Sequence, residues 1–381
     1  MEMNDFNHTG DSITGVSVSS INLPLANPIS DAKVLTGRQK PMKEISILVV
    51  EVSTASGLYG LGFSYSKRAG GPGQFAHAAE IAPTILGENP SDIAKIWGQL
   101  CWAGASVGRS GLAVQSIGAF DVALWDLKAK RANLSLSKLL GSHRDSVRCY
   151  NTSGGFLHVP VEQVIENAGR SLEKGISGIK LKVGQPDTKK DIYRVEKVRE
   201  ALGDSVPLMV DANQQWDRAV AQRMCRNFES FNLEWIEEPL DCYDYEGHAA
   251  LSSVFDTPIA TGEMLTSVLE HSGLINANGA DVLMPDGPRV GGITPYLKIQ
   301  SMAEQSKVML APHFAMELHI HLASTYYSEP WVEHFEWLEP LFNERLEVKG
   351  GEILVPDRLG IGLTLSDMAK SWVVQEKEFR L

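Results

Sequence analysis

The clearest pattern in the chain is an alternation of short apolar runs with amphipathic stretches, which begins after about residue 142. The amphipathic stretches predict helices, most clearly over residues 165–172, 192–202 and 219–228. Strands that alternate with helices run parallel and are buried on both faces. The pattern therefore predicts a βα repeat. Its apolar runs predict strands over residues 178–183, 207–210, 234–236, 258–261, 281–284 and 308–311.

A repeat of this kind either closes into a barrel or stays open as a doubly wound sheet. An open sheet that binds a dinucleotide carries a glycine-rich loop after its first strand. The glycine-rich stretch at 57–62 lies instead inside a predicted hairpin. We therefore predict an α/β fold with a (β/α)₇β TIM-like barrel over residues 143–340, and the open sheet remains the competing architecture.

The two ends of the chain do not follow the repeat. Residues 44–52 and 58–64 predict a hairpin, and the pattern after it is helical as far as about residue 138. Near the C-terminus, residues 346–355 predict a second hairpin, and we expect the final segment that contains it to return to the first region. We predict an α+β capping domain built from residues 1–142 and the C-terminal segment 341–381.

Composition limits the function classes. The 381 residues, 43% of them hydrophobic, suit a large barrel with a smaller second domain. A formal net charge of -12 argues against binding nucleic acid, because that affinity comes from clustered Lys and Arg. The sequence has no 18-residue apolar run that predicts a membrane segment, and residues 1–12 do not resemble a targeting signal. Four scattered cysteines without a Cys-x-x-Cys pair suggest a cytoplasmic protein with reduced thiols.

Candidate chemistry lies at the ends of the predicted strands, where polar residues recur at intervals of 23 to 29 residues. Each interval is one βα unit, so these side chains should converge on one barrel mouth. The residues are Lys182, Asp211, Glu237, Glu263, Asp286 and His313.

Three of these residues are carboxylates on adjacent strands. Asp211, Glu237 and Glu263 offer hard oxygen donors without the His or Cys that zinc prefers, and this set suits Mg²⁺. Any one of them alone could be a helix N-cap or a solvated loop acid. Clustered without a counterion they would repel one another, so the sequence predicts a bound cation.

Candidate acid/base groups lie on either side of these carboxylates. Lys180 and Lys182 share one face of a strand. Beside a bound metal ion, mutual repulsion should lower the pKa of one so that it acts as a base. The alternative is that both lysines reach solvent from a surface edge. His313 and Asp286 could form a dyad in which the carboxylate fixes the imidazole tautomer. His319 and His321, which lie in the next helical stretch, we expect to be structural or exposed.

Together these residues resemble motifs of the enolase superfamily, specifically its mandelate racemase branch, across nearly the whole chain. The resemblance implies a (β/α)₇β barrel with a capping domain, Mg²⁺ on the three carboxylates, and acid/base roles for Lys182 and the His313–Asp286 pair. The matching motifs are Lys180-Leu-Lys182, Asp211-Ala-Asn213, Glu237-Glu-Pro239, Gly262-Glu263, Met284-Pro-Asp286 and Pro312-His313.

The resemblance also assigns substrate contacts. It implies that Lys180 and Asn213 bind the substrate, and that Glu333 is an electrophilic acid, which would need a raised pKa to stay protonated. Residues 311–338 are similar to the acid-sugar dehydratases of that branch, which implies a small-molecule diacid sugar as substrate and a homo-oligomer. The second carboxylate of a diacid needs its own cations, and Lys67 and Arg68 could reach over the mouth; the alternative is a solvated surface pair.

Two other functions fit the same residues. A racemase or epimerase would use both acid/base groups without elimination. A catalytically silent barrel would only bind acidic metabolites.

Overall fold

The computed structural model describes residues 10–152 and 154–381. Residues 1–9 belong to the segment in which we expected no targeting signal, and they lie outside the described residues. The strands are β1 (Ile13–Ile29), β2 (Met42–Thr54), β3 (Tyr59–Lys67), β4 (Ser146–Asn151), β5 (Gly178–Lys182), β6 (Leu208–Asp211), β7 (Trp235–Glu237), β8 (Ile259–Thr261), β9 (Val282–Leu283), β10 (Met309–Leu310), β11 (Val332–His334), β12 (Val348–Lys349), β13 (Glu352–Leu354) and β14 (Val373–Arg380).

Helices fill most of the connections. The α-helices are α1 (Ala32–Leu35), α2 (Gly71–Ile81), α3 (Ile93–Ala103), α4 (Leu112–Arg131), α5 (Leu136–Leu140), α6 (Val161–Glu173), α7 (Thr188–Leu202), α8 (Arg218–Phe228), α9 (Tyr245–Ser252), α10 (Val268–Asn276), α11 (Gly287–Val290), α12 (Ile293–Ser306), α13 (Met316–Ala323) and α14 (Asp367–Ser371). Short 3₁₀ helices cover Ala82–Ile85, Ala105–Val107, Glu229–Phe231 and Glu336–Leu341.

The capping domain is built on an antiparallel sheet with the strand order β14-β1-β2-β3. Its strand β3 packs directly on helix α4, because Gly60 and Gly62 carry no side chain at the contact. A Cβ at either position would lie 2.0 Å from a helix carbonyl oxygen, that of Ala123 or Ala119 respectively. The close approach of β3 to α4 fixes the strand that carries Tyr65 and Lys67 towards the barrel.

The eight strands from β4 to β11 form a parallel barrel. Each pairs with its sequence neighbour from β4 to β10, and β11 pairs with β4. A hydrogen bond of 3.1 Å from the Trp331 N–H to the Leu310 carbonyl links β10 to the start of β11. The predicted barrel is therefore confirmed, and the open-sheet alternative is wrong. Large side chains, among them Tyr150, Trp235 and Trp331, fill the interior below the mouth.

The C-terminal segment contacts both parts of the molecule. Its hairpin, β12 and β13, pairs through β13 with barrel strand β4 and not with the capping sheet. Strand β14 then runs antiparallel to β1 of the capping sheet. The domain boundaries at residues 142 and 340 remain predictions. Across the described ranges, no helix is both long enough and apolar enough to span a membrane.

Candidate active site

A cavity of about 150 Å³ lies where the barrel mouth meets the capping domain. Strand ends of the barrel and the end of β3 both contribute to its wall. Of the residues predicted from sequence, those lining it are Lys67, Arg68, Lys182, Asn213, Glu263, His313 and Glu333.

The three predicted metal ligands come together at this mouth. Asp211 and Glu237 end β6 and β7, and Glu263 follows β8 by two residues. All three are buried, and one oxygen of each lies within 4.8 Å of the others. Three hard carboxylate oxygens at this spacing fit a magnesium ion that completes its shell with water or substrate oxygens. The donor set therefore matches the predicted cation.

The two lysines lie on the carboxylate side of β5, as the period of two predicted. The Lys180 ammonium lies 2.8 and 2.7 Å from the two Glu237 oxygens and 3.1 Å from Glu333 Oε1. The Lys182 ammonium contacts Asp211 Oδ2. Asp211 and Glu237 thus have lysine counterions, which the sequence did not predict, and the surface alternative for the lysines is wrong. Lys180 is buried, and it is not among the residues lining the cavity.

The neighbouring carboxylates dominate the electrostatics of Lys182. Burial and Lys180 both lower its pKa, but Asp211, Glu237 and Glu263 outweigh them and raise the pKa above its ordinary value. The Asp211 carboxylate dominates because it contacts the ammonium. A lowered pKa for a lysine beside a bound metal ion stays a prediction.

The predicted dyad is formed by residues that follow β9 and β10. His313 Nδ1 lies 2.8 Å from Asp286 Oδ2. Its other nitrogen, Nε2, lies 3.3 Å from Glu263 Oε2 and 3.2 Å from the Lys67 ammonium. Burial alone would raise the pKa of Asp286, but the contact with His313 outweighs burial and lowers it. An ionised Asp286 holds the hydrogen on Nδ1 and leaves Nε2 facing the cavity.

Glu333 lies in β11, and both of its carboxylate oxygens accept hydrogen bonds. It accepts hydrogen bonds from Thr152 Oγ1 at 2.7 Å and from the Phe314 N–H at 2.9 Å. Burial would raise its pKa, but Lys180, His313 and Lys182 outweigh burial and lower the pKa to about 2. The expectation of a protonated Glu333 is wrong here, because the donors around it favour the carboxylate.

Lys67 and Arg68 end the first hairpin and turn to the cavity. Lys67 is half-buried, with its ammonium 4.0 Å from the centroid of the Phe314 ring. Burial lowers its pKa to about 8. The Arg68 guanidinium pairs with Asp31 at 2.9 Å and donates to the Lys40 carbonyl. The pair is therefore not a solvated surface pair.

Asn213 follows Asp211 with its backbone in the left-handed region, at φ 45°. Its backbone N–H donates to Asp211 Oδ1 at 2.8 Å and its side-chain amide donates to Oδ2 at 3.0 Å. These bonds orient a metal-ligand candidate. Of the two later histidines, His319 accepts from the Gly287 N–H at 2.9 Å and His321 lies 3.2 Å from the Ile361 carbonyl. Both are buried, which favours the structural interpretation.

Two residues that contact the dyad were missed from the sequence. Tyr65 lies in β3, and its hydroxyl contacts both members of the dyad. The spacing of two residues from Lys67 would have placed it on the same face of the strand. Arg289 lines the cavity, and its backbone N–H donates to Asp286 Oδ1 at 3.0 Å. Its position three residues after a strand-end acid was the available signal.

Comparison with solved structures gives near-complete superpositions. The crystal structure of L-talarate/galactarate dehydratase from Salmonella typhimurium LT2, liganded with Mg and L-lyxarohydroxamate, superposes with a TM-score of 0.98 at 61% identity, covering 100% of this chain and 97% of that one. L-Talarate dehydratase from Polaromonas sp. JS666, complexed with Mg and L-glucarate, gives 0.95 at 72% identity over 97% and 100% of the two chains.

Sequence comparison agrees. The chain is 62% identical to the Salmonella typhimurium L-talarate/galactarate dehydratase over 371 residues, which is 97% of this chain and 93% of that protein. Residues 18–141 match the mandelate racemase / muconate lactonizing enzyme N-terminal domain, and residues 163–369 match the enolase C-terminal domain-like family. The chain therefore belongs to the mandelate racemase / muconate lactonizing enzyme family of the enolase superfamily.

Proposed function

We propose that this chain is a Mg²⁺-dependent acid-sugar dehydratase, a carbon–oxygen hydro-lyase that acts on L-talarate and galactarate. The observation that carries the proposal is the placement of Lys182 and His313 on either side of the carboxylate cluster. Around the barrel, strands β4 and β11 separate them on one side and β6 to β9 on the other. The 62% identity to a dehydratase of these two sugars supports the substrate.

The proposed reaction removes water from the diacid. One of Lys182 and His313 takes the proton from the carbon next to a carboxylate, and the electron pair forms a double bond to the β-carbon. The β-hydroxyl leaves with a proton from an acid on the site and departs as water. The resulting enol tautomerises to a 2-keto-3-deoxy acid. The two side chains are contacted by Asp211 and Asp286 respectively, which orient them for this work.

Asp211, Glu237 and Glu263 would hold the metal. Bound there, Mg²⁺ supplies positive charge where negative charge develops on the substrate carboxylate. We propose that Asn213 and Lys180 keep two of the metal ligands aligned. Asn213 contacts Asp211, and Lys180 contacts Glu237. Glu333 would face the substrate carboxylate on which this negative charge develops.

The second carboxylate of a diacid would meet cations of the capping domain. Lys67 and Arg68 both line the cavity, and Arg68 is held by Asp31. A planar guanidinium held in place suits a carboxylate, because it can donate two parallel hydrogen bonds. We also propose a cytoplasmic homo-oligomer, which light scattering of the purified protein and fractionation of its native cells would test.

The test is turnover of each diacid in D₂O with Mg²⁺. We expect a semicarbazide-reactive keto acid from both sugars, loss of product with EDTA, and loss of product in Lys182→Ala and His313→Ala. Deuterium in recovered substrate without keto acid would instead select the epimerase. Binding without any change in either sugar would leave the silent barrel.

A further inference from the structure

Tyr65 reaches from the capping domain into the barrel's dyad. Its hydroxyl contacts Asp286 Oδ2 and lies 3.3 Å from His313 Nδ1. The side chain is 1% exposed, and its ring packs edge-on against Phe314 with the centroids 4.8 Å apart. The hydroxyl is thus buried together with the two groups that it contacts.

The hydrogen positions follow from the partners. Asp286 Oδ1 accepts a hydrogen bond from the backbone N–H of Arg289, and Oδ2 accepts one from His313 Nδ1. A nitrogen that already donates to a carboxylate cannot accept, so the Tyr65 hydroxyl must donate to Asp286 Oδ2. Burial and the Asp286 charge raise the pKa of Tyr65 well above its ordinary value, so it keeps this hydrogen.

The same strand also reaches the other ring nitrogen. Lys67 lies two residues after Tyr65, on the same face of β3, and its ammonium is 3.2 Å from His313 Nε2. Strand β3 therefore contacts the imidazole from both sides. The ion-pair contact of Lys182 runs to Asp211, which ends β6.

We propose that Tyr65 is a positioning residue for His313. It affects the acid/base work of His313 and not that of Lys182. By donating to Asp286, it holds the carboxylate in the orientation that keeps the hydrogen on His313 Nδ1. Docking of the capping domain thereby completes the dyad. The inference rests on the proposed function, because that function makes His313 an acid/base group.

Tyr65→Phe removes the hydroxyl and keeps the ring against Phe314. Losing one hydrogen bond to a charged group should lower kcat by about tenfold to a hundredfold with little change in KM. Tyr59→Phe is the matched control, because Tyr59 lies on the same strand and is exposed. It should leave kcat and KM unchanged.

Whether Tyr65 affects only His313 is tested by adding Tyr65→Phe to Lys182→Ala and to His313→Ala, each of which retains one acid/base group. We would follow deuterium entering the α-carbon of each sugar by NMR, with Mg²⁺ present. In Lys182→Ala, where His313 remains, Tyr65→Phe should slow exchange by the same tenfold or more as in the parent. In His313→Ala it should have no effect. Equal slowing in both backgrounds would indicate a general structural role and overturn the proposal.

A substrate-free measurement separates this inference from the proposed function. In the Mg²⁺-loaded protein labelled with ¹⁵N-histidine, the His313 signals are those lost in His313→Asn. The parent should show the Nδ1 signal of a nitrogen that donates to Asp286, and Tyr65→Phe should shift that signal because Asp286 then has one donor fewer. An unchanged spectrum would contradict the proposal even if both sugars turn over, and the shift would support it even if neither does.

Discussion

At the scale of single residues, Glu317 has an unusual position in α13. Its side chain is buried, and neither carboxyl oxygen has a hydrogen-bond partner among the described residues. Burial raises its pKa to about 8, because an ionised carboxylate without partners is costly in an apolar environment. The folded chain therefore holds this proton near neutral pH, whereas the unfolded chain releases it near pH 4.5.

This difference predicts a pH-dependent stability. The contribution of Glu317 is fully present below the unfolded pKa and is lost as pH rises towards 8, so the wild type should lose stability relative to Glu317→Gln over that window. We expect the difference in Tm to move in favour of the variant by roughly 5 °C or more between pH 5 and pH 8. Differential scanning fluorimetry at several pH values measures it. A constant difference would show that Glu317 is ionised when folded.

The sequence predicts which residues meet at the barrel mouth, because they lie at strand ends. It does not predict the charge states of these residues. The intervals between Asp211, Glu237 and Glu263 follow from one βα unit each, so their convergence was predictable. The pKa directions of Lys182 and Glu333 depend on which neighbours each side chain contacts, and the spacing of the residues does not give those neighbours. Those neighbours, Asp211 and Thr152 among them, are selected by the packing of the mouth.

At the scale of elements, the capping hairpin shows what periodicity misses. The pattern predicted β2 and β3, but it missed β1, the long strand Ile13–Ile29 between β2 and β14, in which serines and glycine interrupt the apolar run. Barrel strand β4 was missed because Val147 to Tyr150 form only a short apolar run that includes Arg148. The pattern placed the glycines at 60 and 62 in a strand of the hairpin, but their use in strand-to-helix packing appears only once α4 lies on β3.

That packing makes Gly62 a test of the strand that carries Tyr65 and Lys67. In Gly62→Ala the new Cβ meets helix backbone, which cannot move aside as a side chain would, so β3 must shift. Overpacking of this kind costs about 1–3 kcal/mol. We expect a lower Tm, and a lower kcat because the dyad contacts move.

Gly98→Ala in α3 is the control, since its Cβ meets no atom within 4 Å, and it should leave both values unchanged or raise Tm slightly. Equal behaviour of the two variants would contradict the packing argument.

At the scale of the whole molecule, the cavity exists only where two domains meet. Barrel strand ends supply the carboxylates and the dyad, and the end of β3 supplies the cations that cover them. The barrel and its mouth could be predicted because βα periodicity repeats along the chain. The contacts across the domain junction could not, because Tyr65 and Asp286 are separated by 221 positions in sequence and no local pattern links them.

Magnesium should therefore stabilise the assembled molecule through one identified cluster. A ligand that binds the folded chain alone adds stability that grows with the logarithm of its concentration above Kd, so Tm should rise steadily with added Mg²⁺. Glu263→Gln removes one anionic ligand and should abolish most of this rise. Asp286→Asn should keep the rise while losing turnover, because Asp286 contacts His313 and is not one of the three clustered carboxylates. Thermal melts at increasing Mg²⁺, each with an EDTA reference, measure the effect. A Mg²⁺-dependent rise that survives in Glu263→Gln would place the ion elsewhere on the chain.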